Sequence, residues 1–301
     1  MQTRSRLRPA VGLGTFETFD LVPGEKVTAQ KEVLENFVAA GGAIIDTSPL
    51  YGSSETVVGN TASALSVSDE IFMATKIWDT GRWLGDESDY ERQFTRSRMR
   101  LWRDQIDCGL VHSLTNGPTA LRFLKRLKAE GGVRYIGATH FMYPFYDALD
   151  QVIGSGVLDF VQLNYSVFSR RAEKRLLQKA ADNGVAVMAN MPFEKARLFS
   201  VVNDVDLPDW ARDIDCTAWS QVFLKYVISH PAVTCVIPAT STPDHAKENM
   251  KALRGPLPDQ ALREEIIRFL STLDGFETVL SMPPYPGKSY GGLAEFPLKQ
   301  P

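Results

Sequence analysis

The chain has 301 residues, 44% of them hydrophobic and 23% charged, with a net charge of −3 and a pI near 5.9. That balance is ordinary for a globular protein and excludes a strongly basic nucleic-acid surface or a polybasic membrane face. Cys108, Cys216 and Cys235 are an odd set without CxxC or metal-ligand spacing, which reads as reduced thiols and no metal site. No apolar run approaches the ~18 residues of a membrane span. The opening MQTRSRLRPA lacks the apolar segment of a secretory signal, so the expectation is a cytoplasmic protein.

Taken in chain order, short apolar runs alternate with longer amphipathic segments. The runs are VGLG (11–14), AIIDT (43–47), IFMATK (71–76), IDCGLVH (106–112), VRYIGAT (133–139), LDFVQLNY (158–165), VAVMAN (185–190) and VTCVIP (233–238). Most are continuously apolar rather than alternating, the pattern of parallel strands covered on both faces. Between them, 27–40 places Val27, Gln30, Val33, Leu34, Phe37 and Val38 on one helical face and stops at Gly41-Gly42. Segment 170–183 carries a stripe of Ala172, Leu176, Leu177, Ala180 and Ala181 closed by Asn183-Gly184. STPDHAKENM opens a helix with Thr242 at the N-cap and Pro243 at the first helical position.

Eight strands with helices between them, over roughly 250 residues, fit a (β/α)8 TIM barrel as a single domain over 1–301. A doubly wound open sheet is the main competitor. After a last helix in PDQALREEIIRFLST the rhythm stops, and residues 274–301 read as an extended C-terminal strap over the rim or surface. In that strap Tyr285, Tyr290 and Phe296 are candidates to shape a pocket. VGLGTFE has two glycines after a strand, but Glu17 stands where a dinucleotide fingerprint needs a small residue, and no helix opens there.

In such a barrel, chemistry gathers at the C-terminal ends of the strands. Those ends supply Asp46, Lys76 and His112, and Tyr51 lies in the loop after the second strand. A free phenol has a pKa of about 10, and a nearby ammonium held by a carboxylate favours the phenolate. The expectation is therefore a phenol shifted down; lowering it by ~2 units would need about 2.7 kcal/mol of differential interaction. The imidazole is placed to orient a substrate oxygen or share the proton. Each residue alone has a bland reading: a turn cap, a solvated strand-end charge, a core histidine, a packing tyrosine.

DTSPLYG, ATKIW and IDCGLVHSL together resemble the aldo-keto reductase family, and the likeness runs from about Val11 to Leu253. The resemblance implies a (β/α)8 barrel that binds NADPH, or less often NADH, with Asp46, Tyr51, Lys76 and His112 as the catalytic tetrad. It implies Tyr51 as general acid in carbonyl reduction, or base in the reverse, Lys76 and Asp46 tuning it, and His112 orienting the carbonyl. VRYIGATHF matches the segment that holds the nicotinamide carboxamide, with Thr139 for the family serine and His140 for its asparagine. Gln162 matches the family glutamine that contacts the same amide. Asn190, Met191 and Pro192 stand in the family segment whose aromatic ring stacks on the nicotinamide. FEKARLF resembles the diphosphate loop, usually glycine-arginine-glycine before a leucine, with Lys195 and Arg197 as its cations. VIPATSTPDHAKEN matches the adenosine segment: Thr240, Ser241 and Thr242 for phosphate, His245 near the 2′-phosphate, Glu248 and Asn249 for adenine. The family's other phosphate-binding cation falls on Ala239. Thr15 is expected near the cofactor, and Trp78 and Trp83 as walls of the substrate pocket.

The leading expectation is an NADPH-dependent oxidoreductase on a small-molecule carbonyl or alcohol, with NADH possible as cofactor. Two alternatives stay open: a dehydratase, isomerase or cyclase using the same acid–base group, and a binding subunit that senses the cofactor. Monomer and homo-oligomer are equally open.

Overall fold

The continuous apolar runs become parallel strands with helices against their outer faces. A computed structural model describes residues 10–22, 24–79 and 85–285. The strands are β1 (Ala10–Val11), β2 (Leu13–Gly14), β3 (Ile44–Asp46), β4 (Phe72–Ile77) and β5 (Ile106–His112). β6 (Val133–His140), β7 (Phe160–Asn164), β8 (Ala186–Asn190) and β9 (Val233–Val236) complete the set. All their pairings are parallel, in the order β1-β9-β8-β7-β6-β5-β4-β3-β2.

One residue, Gly12, separates β1 from β2. Its N–H donates to the Val236 carbonyl at 2.7 Å, and that of Gly14 to the Pro238 carbonyl at 2.8 Å. Residues 10–14 thus act as one stave, paired to β9 on one side and β3 on the other. The sheet closes on itself as an eight-stave (β/α)8 barrel, with no open-sheet edge. A Cβ on Gly12 would lie 2.9 Å from the Ile44 carbonyl oxygen and 3.0 Å from Ile237 Cγ2. The glycine of VGLG is therefore a close-approach residue at the barrel seam, not part of a nucleotide fingerprint.

The helices are α1 (Thr28–Ala39), α2 (Ser54–Ala64), α3 (Glu87–Leu101), α4 (Gly117–Ala129), α5 (Tyr146–Ile153) and α6 (Leu176–Asp182). They continue as the short α7 (Arg197–Val201) and α8 (Trp210–Asp213), then α9 (Trp219–Ile228), α10 (Pro243–Met250) and α11 (Gln260–Leu270). α1 buries Gln30, Val33, Leu34 and Phe37, whereas Val27, at its N-cap position, is exposed. It ends as foreseen: Gly41 is left-handed at φ 86°, its N–H bonds the Val38 carbonyl, and that of Gly42 bonds Phe37. Such a paired closure satisfies the orphan carbonyls of the last turn and turns the chain into the next strand.

The single helix expected over 170–183 is instead a 3₁₀ turn, Arg171–Lys174, followed by α6, with Arg175 (φ −153°, ψ −51°) breaking the ladder. Glu173 in that turn is drawn into a cluster that explains the break. It accepts from Arg263 at 2.7 Å, from the Tyr226 hydroxyl at 3.2 Å and from the Tyr165 hydroxyl, tying α11 and α9 to the segment after β7. Ala181, expected in the buried stripe, is exposed.

The strand period of two sorts each stave into two faces. Ala74, Cys108, Leu110, Met188, Cys235 and Ile237 pack inside the barrel, with Ile44, Phe72 and Phe160 against them. The outer faces meet the helices in one continuous apolar layer. Cys108, Cys216 and Cys235 are all free and buried, and burial pushes their thiols up. Among the described residues no helix is long and apolar enough to cross a membrane.

Gly12→Ala sets a Cβ against the Ile44 backbone carbonyl and the Ile237 Cγ2 methyl at the seam, and the carbonyl cannot yield without moving its stave. A loss of about 1–3 kcal/mol in denaturant-unfolding stability is expected, with the far-ultraviolet spectrum retained.

Candidate active site

Asp46, Lys76 and His112 share the lumen face with the apolar residues two positions before them, Ile44, Ala74 and Leu110. An apolar strand thus ends on an ionisable group because both point into the barrel, the last one at its mouth. Register sets the neighbours: Asp46 pairs with Ala74, Lys76 with Leu110, His112 with Thr139, Thr139 with Gln162, and Asn164 with Asn190.

Lys76 is almost wholly buried, and its ammonium donates to Asp46 Oδ1 at 2.8 Å, Asp46 Oδ2 at 2.9 Å and the Thr47 carbonyl at 2.7 Å. The same Nζ lies 4.8 Å from the centroid of the Tyr51 ring. Burial works against the lysine charge, but Asp46 and Tyr51 outweigh it and hold its pKa above the ordinary value. The chain turns back at Tyr51, whose N–H bonds the Ser48 carbonyl at 3.0 Å. Next to it Gly52 is left-handed, and the Asp20 carboxylate fills the space where a Cβ would be. Phe16 meets the Tyr51 ring edge-on at 5.0 Å and His112 does so at 5.9 Å.

The expected downward shift of the phenol is not what this geometry produces. Burial raises the Tyr51 pKa, Lys76 opposes the rise, Asp46 adds to it, and the net direction is up. Desolvation of a phenolate exceeds the help of an ammonium already committed to a carboxylate. Tyr51 is therefore protonated at neutral pH.

His112 is pushed down to about 3 by burial first, then by Lys76 and His140, so it is a neutral imidazole. Ser48 Oγ lies 3.4 Å from its Nδ1 and accepts from the Leu50 N–H at 3.2 Å. The serine hydroxyl keeps its hydrogen and a second lone pair, so it pairs with either tautomer of the neutral ring. Ser48 and Phe16 went unnoticed in the sequence, although one lies two residues after Asp46 and the other beside Thr15.

The other expected residues divide. Thr15 is fully buried, and its hydroxyl donates to the Asp46 carbonyl at 3.0 Å. It braces β3, and Phe16 is the residue that faces Tyr51. Thr139 donates to Gln162 Oε1 at 3.0 Å, and Gln162 Nε2 donates to Asp46 Oδ1 at 2.7 Å. His140 accepts from the Met142 N–H at 3.1 Å through Nδ1 and stacks on Phe145 at 3.8 Å. Its pKa is lowered by burial, so Nε2 carries the hydrogen of a neutral ring. Asn190 Oδ1 is buried without a partner. Trp78 is half-buried, its N–H bonding Gln93 Oε1 at 3.1 Å. Trp83 lies outside the described residues, as do Tyr290 and Phe296.

After β8 the chain runs through Met191 (φ 52°), then Pro192 and Phe193, both buried. Glu194, Lys195 and Ala196 follow with φ of 50°, 57° and 64°, three successive left-handed residues without a glycine. Each costs roughly 1 kcal/mol or more. Fixed neighbours hold them: Glu194 is fully buried and accepts from Ser166 at 2.5 Å, and burial raises its pKa. The Tyr285 N–H donates to the Lys195 carbonyl at 2.8 Å and Arg197 Nε to the Met282 carbonyl at 2.7 Å. The tail thus returns to this loop through Tyr285, after a 3₁₀ turn, Phe276–Ser281, that buries Phe276 and Val279. Lys195 Nζ is 6.0 Å from the Phe16 ring centroid.

At the β9 end, Thr242 occupies the N-cap position of α10, but its side chain makes no cap bond. Instead Thr240 Oγ1, largely buried, accepts the Thr242 N–H at 3.0 Å. Pro243 lacks an N–H, and the first-turn N–H groups of Asp244 and His245 have no partner within the helix ladder. His245 is exposed. Glu248 accepts from Ser220 at 2.6 Å, and Asn249 is buried.

A model of the Aldo/keto reductase family matches residues 10–265. The chain belongs to the aldo/keto reductase family. Among proteins similar to it is the NADH-specific methylglyoxal reductase of Escherichia coli (strain K12), 26% identical over 72% of this chain and 80% of that protein. Methylglyoxal reductase YeaE of the same strain is 28% identical over 81% and 85%. Of solved structures, an aldo/keto reductase from Klebsiella pneumoniae in complex with NADP and acetate superposes with a TM-score of 0.72 at 25% identity, covering 87% of this chain and 91% of that one.

The buried neutral histidine makes stability sensitive to acid. The folded pKa of His112 lies below its unfolded value, so the unfolded state binds the extra proton below about 6.5. Stability is present in full above that pH and is lost as pH falls toward about 3. In denaturant titrations from pH 7 to pH 4, His112→Gln is expected to lose less stability than the wild type. Lys76→Met, which strands a buried carboxylate, is expected to cost about 3–5 kcal/mol in the same assay, and Asp46→Asn beside it to recover part of that.

Proposed function

We propose that the protein reduces an aldehyde or ketone group of a small molecule with a nicotinamide dinucleotide, Tyr51 giving the proton to the carbonyl oxygen. One observation carries the reading: a buried ammonium, pinned by Asp46, lies against a phenol that remains protonated. The residues present suit such a cofactor. Asn190 Oδ1 is a buried acceptor awaiting a donor, which a carboxamide NH2 offers, and His140 Nε2–H is the matching donor. Lys195 and the loop around it, with the start of α10 beside Thr240 and Ser241, supply charge and N–H groups for the phosphates. Thr242, Glu248 and Asn249 line the adenosine end in this reading.

When bound, the reduced nicotinamide supplies a hydride to the carbonyl carbon. The chain's own part is to bind and polarise the carbonyl and to deliver one proton. The neutral His112 donates a hydrogen bond that fixes the oxygen without competing for the proton. Tyr51 transfers its proton as negative charge builds on that oxygen, and Lys76 stabilises the phenolate left behind. In the reverse direction the phenolate takes the alcohol proton. Phe16 borders the acid, and the methylglyoxal reductases among its relatives support a small carbonyl substrate.

NADPH is the cofactor we favour, in line with the NADP-bound Klebsiella protein. Ala239 and His245 offer no fixed guanidinium to a 2′-phosphate, and an NADH-specific relative keeps NADH as the alternative. Fluorescence titration with each nucleotide separates the two.

Tyr51→Phe is expected to lower kcat by about 10²–10⁴-fold while the dissociation constant for cofactor stays unchanged; full turnover in this variant would sink the assignment. Because the phenol pKa is raised, wild-type reduction is expected to hold steady through neutral pH and fall only in the alkaline range. Alcohol oxidation, which needs the phenolate, should rise with pH over that same range. Stopped-flow rates in both directions test the pair of profiles.

A further inference from the structure

Gln162 is 2% exposed and makes two side-chain bonds, both to the protein. Its orientation is forced by chemistry. Asp46 Oδ1 accepts and cannot donate, so the amide NH2 must face it, at 2.7 Å. The amide oxygen then faces Thr139, whose hydroxyl donates to it at 3.0 Å. Asp46 Oδ1 also receives the Lys76 ammonium at 2.8 Å, while Oδ2 receives only the ammonium, at 2.9 Å. The carboxylate is thus clamped between a cation from β4 and an amide from β7.

The geometry points to Gln162 as a positioning residue for the proton donor: held by Thr139, its amide locks Asp46 so that the Lys76 ammonium stays against Tyr51. This rests on the proposed carbonyl reduction with Tyr51 as acid, and it gives Gln162 a part beyond any contact to the nicotinamide. The amide keeps a second N–H and a second oxygen lone pair, so a cofactor contact and the hold on Asp46 are compatible. The coupling has a direct path. Rotation of Asp46 would release the ammonium from one side, and a shift of about 1 Å in a catalytic group can cost on the order of a hundredfold in rate.

The ionisable groups that face this cluster are Lys76 of β4, Tyr51 of the turn after β3, and His112 and Cys108 of β5. Cys235 of β9 and His140, at the end of β6, complete them. Both thiols are held protonated by burial and both imidazoles are neutral. A new carboxyl at position 162 therefore has Asp46 as its nearest competitor for charge.

The test compares wild type, Gln162→Met and Gln162→Glu by kcat against pH at saturating cofactor, with cofactor dissociation constants measured by fluorescence. Gln162→Met is expected to lose kcat about tenfold to a hundredfold at every pH, a loss that persists at saturating cofactor whatever its dissociation constant. Gln162→Glu is expected to approach the wild-type rate at low pH, where the protonated acid donates to Asp46 as the amide does. Its rate should fall through a new ionisation as two carboxylates come to face each other. Variants that keep the wild-type kcat and pH profile and differ only in cofactor affinity would overturn the proposal. A second readout needs no turnover: the side-chain amide NMR signals of Gln162, assigned by their loss in Gln162→Met. They are expected to move in Asp46→Asn without cofactor present. Signals that ignore Asp46→Asn would overturn it too. A wild type that reduces no carbonyl would instead count against the proposed function, and the NMR comparison would still decide the role of Gln162.

Discussion

A lysine ammonium buried in the mouth of a barrel imposes the central constraint on this molecule. It cannot stay charged there without a carboxylate, and the carboxylate cannot stay buried without the lysine. Asp46 and Lys76 answer each other across adjacent staves, and the groups around them are arranged on that pair. The Thr47 carbonyl takes a third ammonium hydrogen, Thr15 braces the strand from below, and Gln162 closes on the carboxylate from the far side. Tyr51 is brought to the cation by a turn clasped between Asp20 and Phe16. The barrel supplies the rigid frame; the ion pair sets what the mouth can do.

Much of this was legible in the residues. The eight staves announced themselves as continuous apolar runs, because a parallel strand covered on both faces has no reason to alternate. The tetrad was legible because each member closes such a run or follows it closely. What lay beyond reach depends on three-dimensional surroundings. The direction of the Tyr51 shift turns on burial, which a neighbouring ammonium alone does not reveal. The partners of Gln162 and Thr15 depend on register and on which side chains meet across the lumen, as Gln162 of β7 meets Asp46 of β3. The break before Leu176 comes from Arg263, some 90 residues away in the chain. The left-handed loop at 194–196 carries no glycine to mark it.

The segments that the resemblance assigns to a cofactor carry other side chains than the family's usual ones. Where the resemblance expects an aromatic ring there is Asn190 with an unpaired oxygen, and the loop it expects to be glycine-rich has Glu194, Lys195 and Ala196 in the left-handed region. The tail supports that loop through the Lys195 carbonyl and Arg197, so an unfavourable backbone is retained by contacts made some 85 residues later in the chain. The conformation there is held by neighbours rather than by the local sequence.

The alternation along β3, β4 and β5 has a further consequence. Because the ionisable group of each stave lies two residues beyond an apolar lumen residue, losing one residue within β4 would swing Lys76 toward the helices and Ile77 into the mouth. An alignment error in assembly would therefore strand a charge in hydrocarbon and empty the mouth at once. Proofreading of the fold and proofreading of the chemistry are the same event, enforced by one charge that has a single tolerable place to be.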